Sequence, residues 1–433
     1  MKKNISVLIV RRHAGEVDWI LPLLYRFKIN GNKIITIFSD QMSFESLRNN
    51  IEIYNIWKSI SKDYFIVRKY HSFYWKTIHF IIRKFNLSRL DLIKNLEKFI
   101  LNKTFDIKLF AEKFKTKISQ VNSVFVTSNH FSYLPLIFKN INSNILIIRF
   151  PEATMIASSK KENPNVLYNT SFNNIYGDIF LFSSKTNKEF FLGKFETKNL
   201  SKKIYYCGFL RYEKWWIDKI VKKKKIKKRK FFTILVPIRD PNLDYFHHSS
   251  YLEIIESIMK IAKKINKCKI IFKIHPQNTN INLLKNVLKK FNSNLWELKK
   301  NHMLNLSSQA NMCISIITSA CLDSLALRIP TIEFYKINSE LVKSPNVTTC
   351  VHMAYLKKKK KWVTIFNYKG LVNTVEDYKA LEKKVDLIYK NQYKKTCEKN
   401  YFSFRNLIKF NKNNSNKIYK IINKKIMKMR TLN

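Results

Sequence analysis

The chain has few of the residues that interrupt regular structure. Its 433 residues include only 6 Gly and 9 Pro, so its loops are expected to be short or built on Asn, Ser and Lys. No GxGxxG signature and no internal repeat is present. The six cysteines show no CxxC or Cys/His metal spacing, and four of them lie in or beside apolar stretches, which is typical of buried thiols in a reducing compartment.

Long hydrophobic runs are also missing. The run Ile5–Val10 stops at Arg11 and Arg12, which is typical of a first β-strand and not of a secretory signal. No segment approaches the roughly 18 apolar residues of a membrane-spanning helix. The sequence therefore predicts a cytoplasmic protein, attached at most peripherally to the inner face of the plasma membrane.

Acidic side chains are scarce beside basic ones. Asp and Glu number 30 against 81 Lys and Arg, for a formal net charge of +51. Such an excess ordinarily indicates nucleic acid or an anionic membrane as partner. Here Lys is dispersed among Ile, Asn and Phe, which is typical of an A/T-rich coding sequence, so no specific nucleic-acid partner is expected.

Two basic runs stand out from this dispersed charge. Lys222–Lys230 and Lys357–Lys361 are each nearly unbroken. Such runs are usually solvated faces or linkers. If both lie on one face, they would hold the protein against anionic inner-leaflet lipid, where lipid-linked acceptors lie.

Alternating strand and helix patterns predict two α/β halves. Hydrophobic residues at 45% and aromatic residues at 14% exclude a largely disordered chain. A strand–helix–strand unit over Ile5–Phe38 opens the first half. The predicted divisions are an N-terminal domain over 1–205 with a largely helical insertion near 50–118, a junction and basic linker over 206–230, a second α/β domain over 231–395, and a helical tail over 396–433.

Two strand ends in the second half carry the most informative residues. KIIFKIHPQ, from Lys269 to Gln277, ends in His275 and Pro276, and the apolar run that starts at Met312 ends in Thr318 and Ser319 before a helical pattern. Open α/β sheets bind ligands at the carboxyl ends of their strands.

Their chemistry suits a phosphorylated, nucleotide-like ligand. Hydroxyls and N–H groups at a helix start attract anions, and His275 can donate to a phosphate or to a leaving-group oxygen. The alternative is an ordinary helix N-cap at Thr318 or Ser319 and a strand-end His bonded to backbone.

The order strand, His-Pro, strand, Thr-Ser, helix, Ile-Pro, strand resembles the C-terminal domain of GT-B glycosyltransferases of bacterial surface-polysaccharide assembly. Similar by motif are the capsule transferases of the CMP-Kdo and polysialyl types and the CDP-glycerol glycerophosphotransferases. The resemblance implies that His275, Pro276, Thr318 and Ser319 bind the cytidine nucleotide and its phosphate.

A third match lies near the predicted domain junction. YYCGFLRYEKWW is similar to the Gly-x-x-Arg-x-Asp/Glu segment of such enzymes, with Gly208, Arg211 and Glu213 at the matching positions. The resemblance covers roughly the C-terminal half. The His-Gly pair of the glycerophosphotransferases has no clear match in the first half, and the Glu/Asp-Asp/Glu-Gly motif of bacterial sialyltransferases is scrambled.

Candidates for the catalytic base lie at strand ends of the first half. An inverting glycosyl transfer needs a carboxylate or a His that takes the proton of the acceptor hydroxyl, across the cleft from the nucleotide. Glu16 and Asp18 follow the first strand, near a helix expected to begin at Trp19, and Glu152 follows a later strand. Each is equally well explained as a favourable acid of a first helical turn. His275 is the catalytic candidate on the nucleotide side.

Two further nucleotide contacts are predicted in the second half. Arg239 follows a strand and would bind a diphosphate or carboxylate bidentately, with a surface ion pair to Asp240 as the alternative. Glu333, at the end of the strand after Pro330, would accept the ribose hydroxyls. Its alternative is a simple polar residue of an edge strand.

The sequence thus predicts an α/β, GT-B-like protein with two Rossmann-like domains that face a cleft. The expected activity is metal-independent and cofactor-independent. It moves a sugar or polyol phosphate from a nucleotide-activated donor, cytidine type first and UDP-sugar second, to a saccharide or lipid-linked acceptor. The alternatives are a UDP-sugar epimerase of GT-B fold and a non-catalytic basic protein that binds nucleic acid or membrane.

Overall fold

The protein is described by a computed structural model. Described are residues 4–11, 14–67, 112, 120–127, 134–151, 156–167, 176–192, 198–221, 230–238, 248–275, 281–335, 348–408 and 414–431. The predicted site residues Glu152, Arg239 and Pro276 lie outside these ranges. So do most of the predicted insertion near 50–118 and most of the basic run Lys222–Lys230.

A parallel sheet of seven described strands forms the centre of the N-terminal half. The strands are β1 (Ile5–Val10), β2 (Lys33–Phe38), β3 (Asp63–Ile66), β4 (Val121–Thr127), β5 (Leu146–Phe150), β6 (Ile179–Phe182) and β7 (Ile204–Tyr206), in the order β3-β2-β1-β4-β5-β6-β7. β1, β4 and β5 are buried along their whole length, as expected for apolar strands covered on both faces.

A second parallel sheet, of six described strands, forms the C-terminal half. Its strands are β8 (Phe232–Ile238), β9 (Cys268–Ile274), β10 (Trp296–Lys299), β11 (Met312–Ser315), β12 (Thr331–Phe334) and β15 (Asn373–Val375), in the order β10-β9-β8-β11-β12-β15. The strands β13 (Met353–Leu356) and β14 (Lys361–Thr364) form a separate antiparallel hairpin. Both sheets reverse their winding beside the first strand, at β1/β4 and at β8/β11. Such switch points are where open α/β sheets bind ligands.

Helices connect the strands and close the chain. They are α1 (Ala14–Ile29), α2 (Gln41–Arg48), α3 (Ile51–Ile60), α4 (Leu134–Ile141), α5 (Lys185–Leu192), α6 (Lys198–Ser201), α7 (Lys214–Ile220), α8 (His248–Lys264), α9 (Ile281–Leu288), α10 (Met303–Ser307), α11 (Cys321–Ala326), α12 (Ile365–Tyr368), α13 (Tyr378–Tyr389), α14 (Lys394–Ile408) and α15 (Asn414–Thr431). None of these described helices is long and apolar enough to cross a bilayer.

The predicted pair of α/β units is confirmed, with two local corrections. α1 begins at Ala14 and not near Trp19, so Glu16 and Asp18 lie within its first two turns and not in a loop before it. The Ala14 N–H is satisfied there by the Ser46 hydroxyl at 3.1 Å. The short strands β3, β7 and β10 were not predicted, because each has partly exposed residues and none contains a long apolar run. The predicted domain boundaries stay predictions.

An apolar core continues from one half into the other. Trp19 of α1 and Tyr212 of the junction belong to the same buried cluster as Leu322 of α11 and Phe404 of α14. The helix α15 then returns to the first half, where Tyr419 packs edge-on against Phe27 with ring centroids 4.9 Å apart. The two halves are therefore joined by packing as well as by the chain.

The basic run Lys357–Lys361 forms the turn of the β13–β14 hairpin. A 3₁₀ helix over Lys357–Lys359 leads to Lys360, whose φ is 46°. All five lysines are exposed. This placement agrees with a solvated run.

Candidate active site

A cavity of about 180 Å³ lies between the two halves, at the switch points of both sheets. It is lined by Ala14, Gly15, Asp18 and Asn50 from the N-terminal half, by Arg211 from the junction, and by Pro237, Ile238, Lys273, His275, His302, Met303, Thr318, Ser319, Ala320 and Asp323 from the C-terminal half. The carboxyl ends of β8 and β9 and the loop after β11 open into it. The topology therefore brings together residues as far apart in the chain as Ala14 and Asp323.

The structure brings the two predicted strand ends to this cavity. His275 follows β9, and Thr318 and Ser319 follow β11. β8 lies between those strands, so the two loops face each other across Pro237 and Ile238.

The loop before α11 has an unusual backbone. Ile317 has a φ of 42°, a left-handed conformation that β-branched residues rarely adopt. The Thr318 hydroxyl accepts the Ala320 N–H at 3.3 Å, so it is partly used in the turn itself. The Ser319 hydroxyl makes no hydrogen bond to another described residue, and it is the better placed of the two to bind a ligand.

A buried charge cluster forms the wall between the halves. Nη2 of Arg211 lies 3.0 Å from Oδ2 of Asp18 and 2.7 Å from Oδ1 of Asp323. Asp18 is on α1, Asp323 is on α11, and Arg211 is in the junction. One guanidinium therefore ties together the first half, the junction and the second half.

His302 completes this cluster. Its Nε2 lies 3.1 Å from Oδ2 of Asp18, and its Nδ1 accepts the Leu304 N–H at 3.3 Å. Because Nδ1 acts as an acceptor, the ring proton is on Nε2 and is donated to Asp18. Both ring nitrogens are thus occupied, and His302 orients the Asp18 carboxylate.

The two carboxylates of the cluster differ in their electrostatics. Burial acts to raise the pKa of Asp18, but the Arg211 charge and the His302 hydrogen bond together hold it below its ordinary value. For Asp323, burial outweighs the attraction of Arg211 and raises the pKa. Asp18 is therefore the more readily ionised of the two carboxylates.

A second contact between the halves flanks the cavity. The Glu52 carboxylate of α3 accepts the Asn301 amide at 2.7 Å, the His302 N–H at 2.7 Å and the Asn305 amide at 2.8 Å. Burial acts to raise the pKa of Glu52, but these three donors lower it overall. Glu52 thus holds the segment that carries His302 against the first half.

Other predicted residues lie away from the cavity. Glu16 is fully buried and accepts the Arg11 N–H at 2.7 Å. Gly208 has a φ of +64°, and a Cβ there would lie 2.9 Å from the Asn414 amide nitrogen, so its role is to let α15 approach. Glu333 is buried beside β15, where its carboxylate accepts the hydroxyls of Thr364 and Thr374. Its contact with ribose stays a prediction.

Sequence reasoning missed several residues of the cavity. Lys273 is a single charge within an apolar strand, Asp323 resembles a first-turn helix acid, and His302 precedes a short helix. Only the carboxyl-edge position of Lys273, two residues before His275, was a signal available from the sequence. Within the described ranges, no group of three or more His, Cys, Asp or Glu side chains is placed to hold a metal ion.

No protein-family model matches the chain, and neither does any curated protein. Among solved structures, it is similar to the wall teichoic acid polymerase TagF, with 12% identity over 100% of this chain and 90% of that one and a TM-score of 0.56. The chain has the GT-B fold. The chain is also similar to the UDP-GlcNAc 2-epimerase from Neisseria meningitidis bound to UDP-GlcNAc. The two are 13% identical over 97% of this chain and 100% of that one, with a TM-score of 0.55. A glycosyltransferase from Rickettsia africae is 15% identical over 98% of this chain and 99% of that one, with a TM-score of 0.50.

Proposed function

We propose that this GT-B chain is a transferase of cell-surface carbohydrate assembly. It moves a sugar or polyol phosphate from a nucleotide-activated donor to a saccharide or lipid-linked acceptor. The observation that supports it most strongly is the interdomain cavity, where His275 and Ser319 of the second half face Asp18 of the first. Such a transfer requires that donor and acceptor be held side by side in the right geometry, and a cavity lined by both halves can do this.

The proposed roles follow from the geometry. The nucleotide binds to the C-terminal half, with its phosphate near the Ser319 hydroxyl and with His275 stabilising the charge that develops on the leaving oxygen. Asp18, ionised and fixed by Arg211 and His302, takes the proton of the acceptor hydroxyl. Glu152 and Arg239 stay predictions, as does a reaction without metal or cofactor.

A cytidine-activated donor is the first choice and a UDP-sugar the second. The resemblance of the His-Pro and Thr-Ser order to enzymes that use cytidine nucleotides favours cytidine, and the likeness to an epimerase bound to UDP-GlcNAc favours uridine. The proposed site of action is the cytoplasmic face of the plasma membrane. The exposed Lys357–Lys361 turn would contact anionic lipid there.

Thermal stabilisation by nucleotides tests the proposal. A nucleotide at about a hundred times its dissociation constant adds roughly 2.7 kcal/mol of apparent stability. We expect CMP, CDP or UDP to raise the melting temperature at fixed salt, and Ser319→Ala or His275→Ala to abolish the rise. Ser59→Ala, which removes an exposed hydroxyl of α3, is the matched control. A nucleotide shift that both cavity variants retain would contradict the proposed site.

A UDP-sugar epimerase is the second candidate, since several similar structures are UDP-GlcNAc 2-epimerases. It predicts conversion of UDP-GlcNAc without any acceptor, which NMR of the sugar would detect. The transferase predicts that free UDP-GlcNAc keeps its configuration. A non-catalytic basic protein predicts instead polyanion binding that weakens steeply with salt and survives His275→Ala.

A further inference from the structure

Lys273 is a buried cation on the nucleotide side of the cavity. It is the penultimate residue of β9, two positions before His275, so both side chains leave the strand toward the same side. Its side chain lines the cavity, and the residue is 7% exposed. Its Nζ donates to the Ile274 carbonyl at 2.6 Å.

The Lys273 ammonium has donors to spare. It carries three N–H groups, and only one of them is used by a described residue. No carboxylate of the described ranges lies within the 4.0 Å of an ion pair to it.

The acidic groups around Lys273 are engaged elsewhere. Glu52 on α3 accepts three donors from the Asn301–Asn305 segment, and Asp323 on α11 binds Arg211. Asp18 on α1 binds Arg211 and His302. Burial lowers the pKa of Lys273 to about 8, against the attraction of Glu52 and Asp323. A buried cation in these surroundings lacks a close counter-charge, which is unfavourable unless an anion binds.

We infer that Lys273 binds the phosphate of the nucleotide and neutralises it in the cavity. This inference rests on the proposed function. It gives Lys273 the cationic role that the sequence assigned to Arg239 and to the start of α11. α11 has six residues and its N-cap Ala320 makes no side-chain cap, so that helix end supplies little of the charge.

The variants that test this role are Lys273→Met and Lys269→Met. Methionine keeps the length of the buried side chain and removes its charge. Lys269 lies on the same strand, is paired with Glu297 at 3.2 Å and does not line the cavity, so it is the matched control. Calorimetric titration with CMP and UDP, and with cytidine and uridine, separates phosphate binding from base binding.

We expect Lys273→Met to weaken the binding of CMP and UDP at least tenfold and the binding of the nucleosides less than twofold. Lys269→Met should bind all of them as the wild type does. The wild-type protein provides an independent readout, which does not depend on folding of a variant. Because Lys273 deprotonates near pH 8, the affinity of the protein for nucleotides should fall about tenfold between pH 7 and pH 9, where the phosphate is already almost fully ionised.

The outcomes separate this inference from the proposed function. If the wild-type protein binds nucleotides without this pH dependence and Lys273→Met binds them within twofold, the role of Lys273 is wrong and the proposed site stands. If the wild-type protein binds none of the nucleotides, both are wrong. If Lys273→Met weakens the binding of nucleosides as much as the binding of nucleotides, the effect of the substitution is structural and the inference is wrong.

Discussion

Glu333 shows how burial changes the behaviour of a single carboxylate. It is fully buried at the end of β12, and the hydroxyl of Thr374 donates to it at 2.7 Å. Burial raises the pKa of Glu333 to about 7, although hydrogen bonds from Thr364 and Thr374 oppose the rise. In the folded state the protonated form is therefore favoured below about pH 7, and ionisation above that pH costs stability.

Glu333→Gln should stabilise the protein at pH 8. Because the folded pKa lies above the unfolded value of about 4.5, the stability from this group is complete below about pH 4.5 and is lost as pH rises through about 7. We expect Gln to gain on the order of 2 kcal/mol over the wild type at pH 8 and much less at pH 5. Urea unfolding at both pH values measures this, with surface Glu256→Gln as control. If the difference in unfolding free energy between Glu333→Gln and the wild type is equal at the two pH values, the raised pKa of Glu333 is contradicted. Weaker nucleotide binding by Glu333→Gln would support the ribose contact predicted from the sequence.

Residues differ in how far the sequence alone could place them. His275, Thr318 and Ser319 could be predicted, because apolar runs mark where their strands end. The partners of Arg211 could not, since Asp18 and Asp323 are more than a hundred residues from it in opposite directions along the chain. No local pattern encodes such a contact, which arises only when both sheets and their junction have packed.

At the scale of elements, the junction segment fixes the C-terminal helix. At the N-terminus of α15, the Glu213 carboxylate accepts hydrogen bonds from the Ser415 N–H at 2.5 Å and from the Ser415 hydroxyl at 2.7 Å. The Ser415 hydroxyl also lies 3.3 Å from Nε of Arg26 on α1. The conformation of Gly208 gives α15 room beside the junction. The Gly-x-x-Arg-x-Glu pattern thus serves both the cavity, through Arg211, and the attachment of α15.

Ser415→Ala should loosen α15. The substitution removes a hydrogen bond to a charged acceptor, which is worth about 1.5–3 kcal/mol. Amide hydrogen exchange is expected to become faster across 414–431 while the strands β1 and β4 keep their protection. Ser59→Ala is again the control. Unchanged exchange in α15 would show that Glu213 does not hold the helix.

At the scale of the whole molecule, polar contacts and a shared core hold the halves together around the cavity. The Asp18–Arg211–Asp323 cluster lies within the cavity wall, and Glu52 holds the Asn301–Asn305 segment beside it. A further contact joins Ser158 to the carbonyl of Val351 through its N–H at 2.8 Å. The width of the cavity is therefore set by contacts between side chains of both halves.

Glu52→Gln should weaken the contact between the halves. Three donors lose a charged acceptor, and we expect a loss of about 1–3 kcal/mol in the free energy of unfolding at pH 7. The pKa of Glu52 is lower in the folded state than its unfolded value of about 4.5. The extra stability of the wild type over Glu52→Gln is therefore present above about pH 4.5 and is lost as the pH falls below that value. Faster exchange at the amides of 301–305 would accompany the loss. An advantage that persists in acid would contradict this assignment.

A crystal structure of the protein with bound CDP or UDP would test the proposed site most directly. We expect the nucleotide in the cavity between the halves, with its phosphates within hydrogen-bonding distance of the Lys273 ammonium and the Ser319 hydroxyl and with His275 beside them. A nucleotide bound to surface lysines, or a cavity that stays without nucleotide at saturating concentration, would show that the proposed site is wrong.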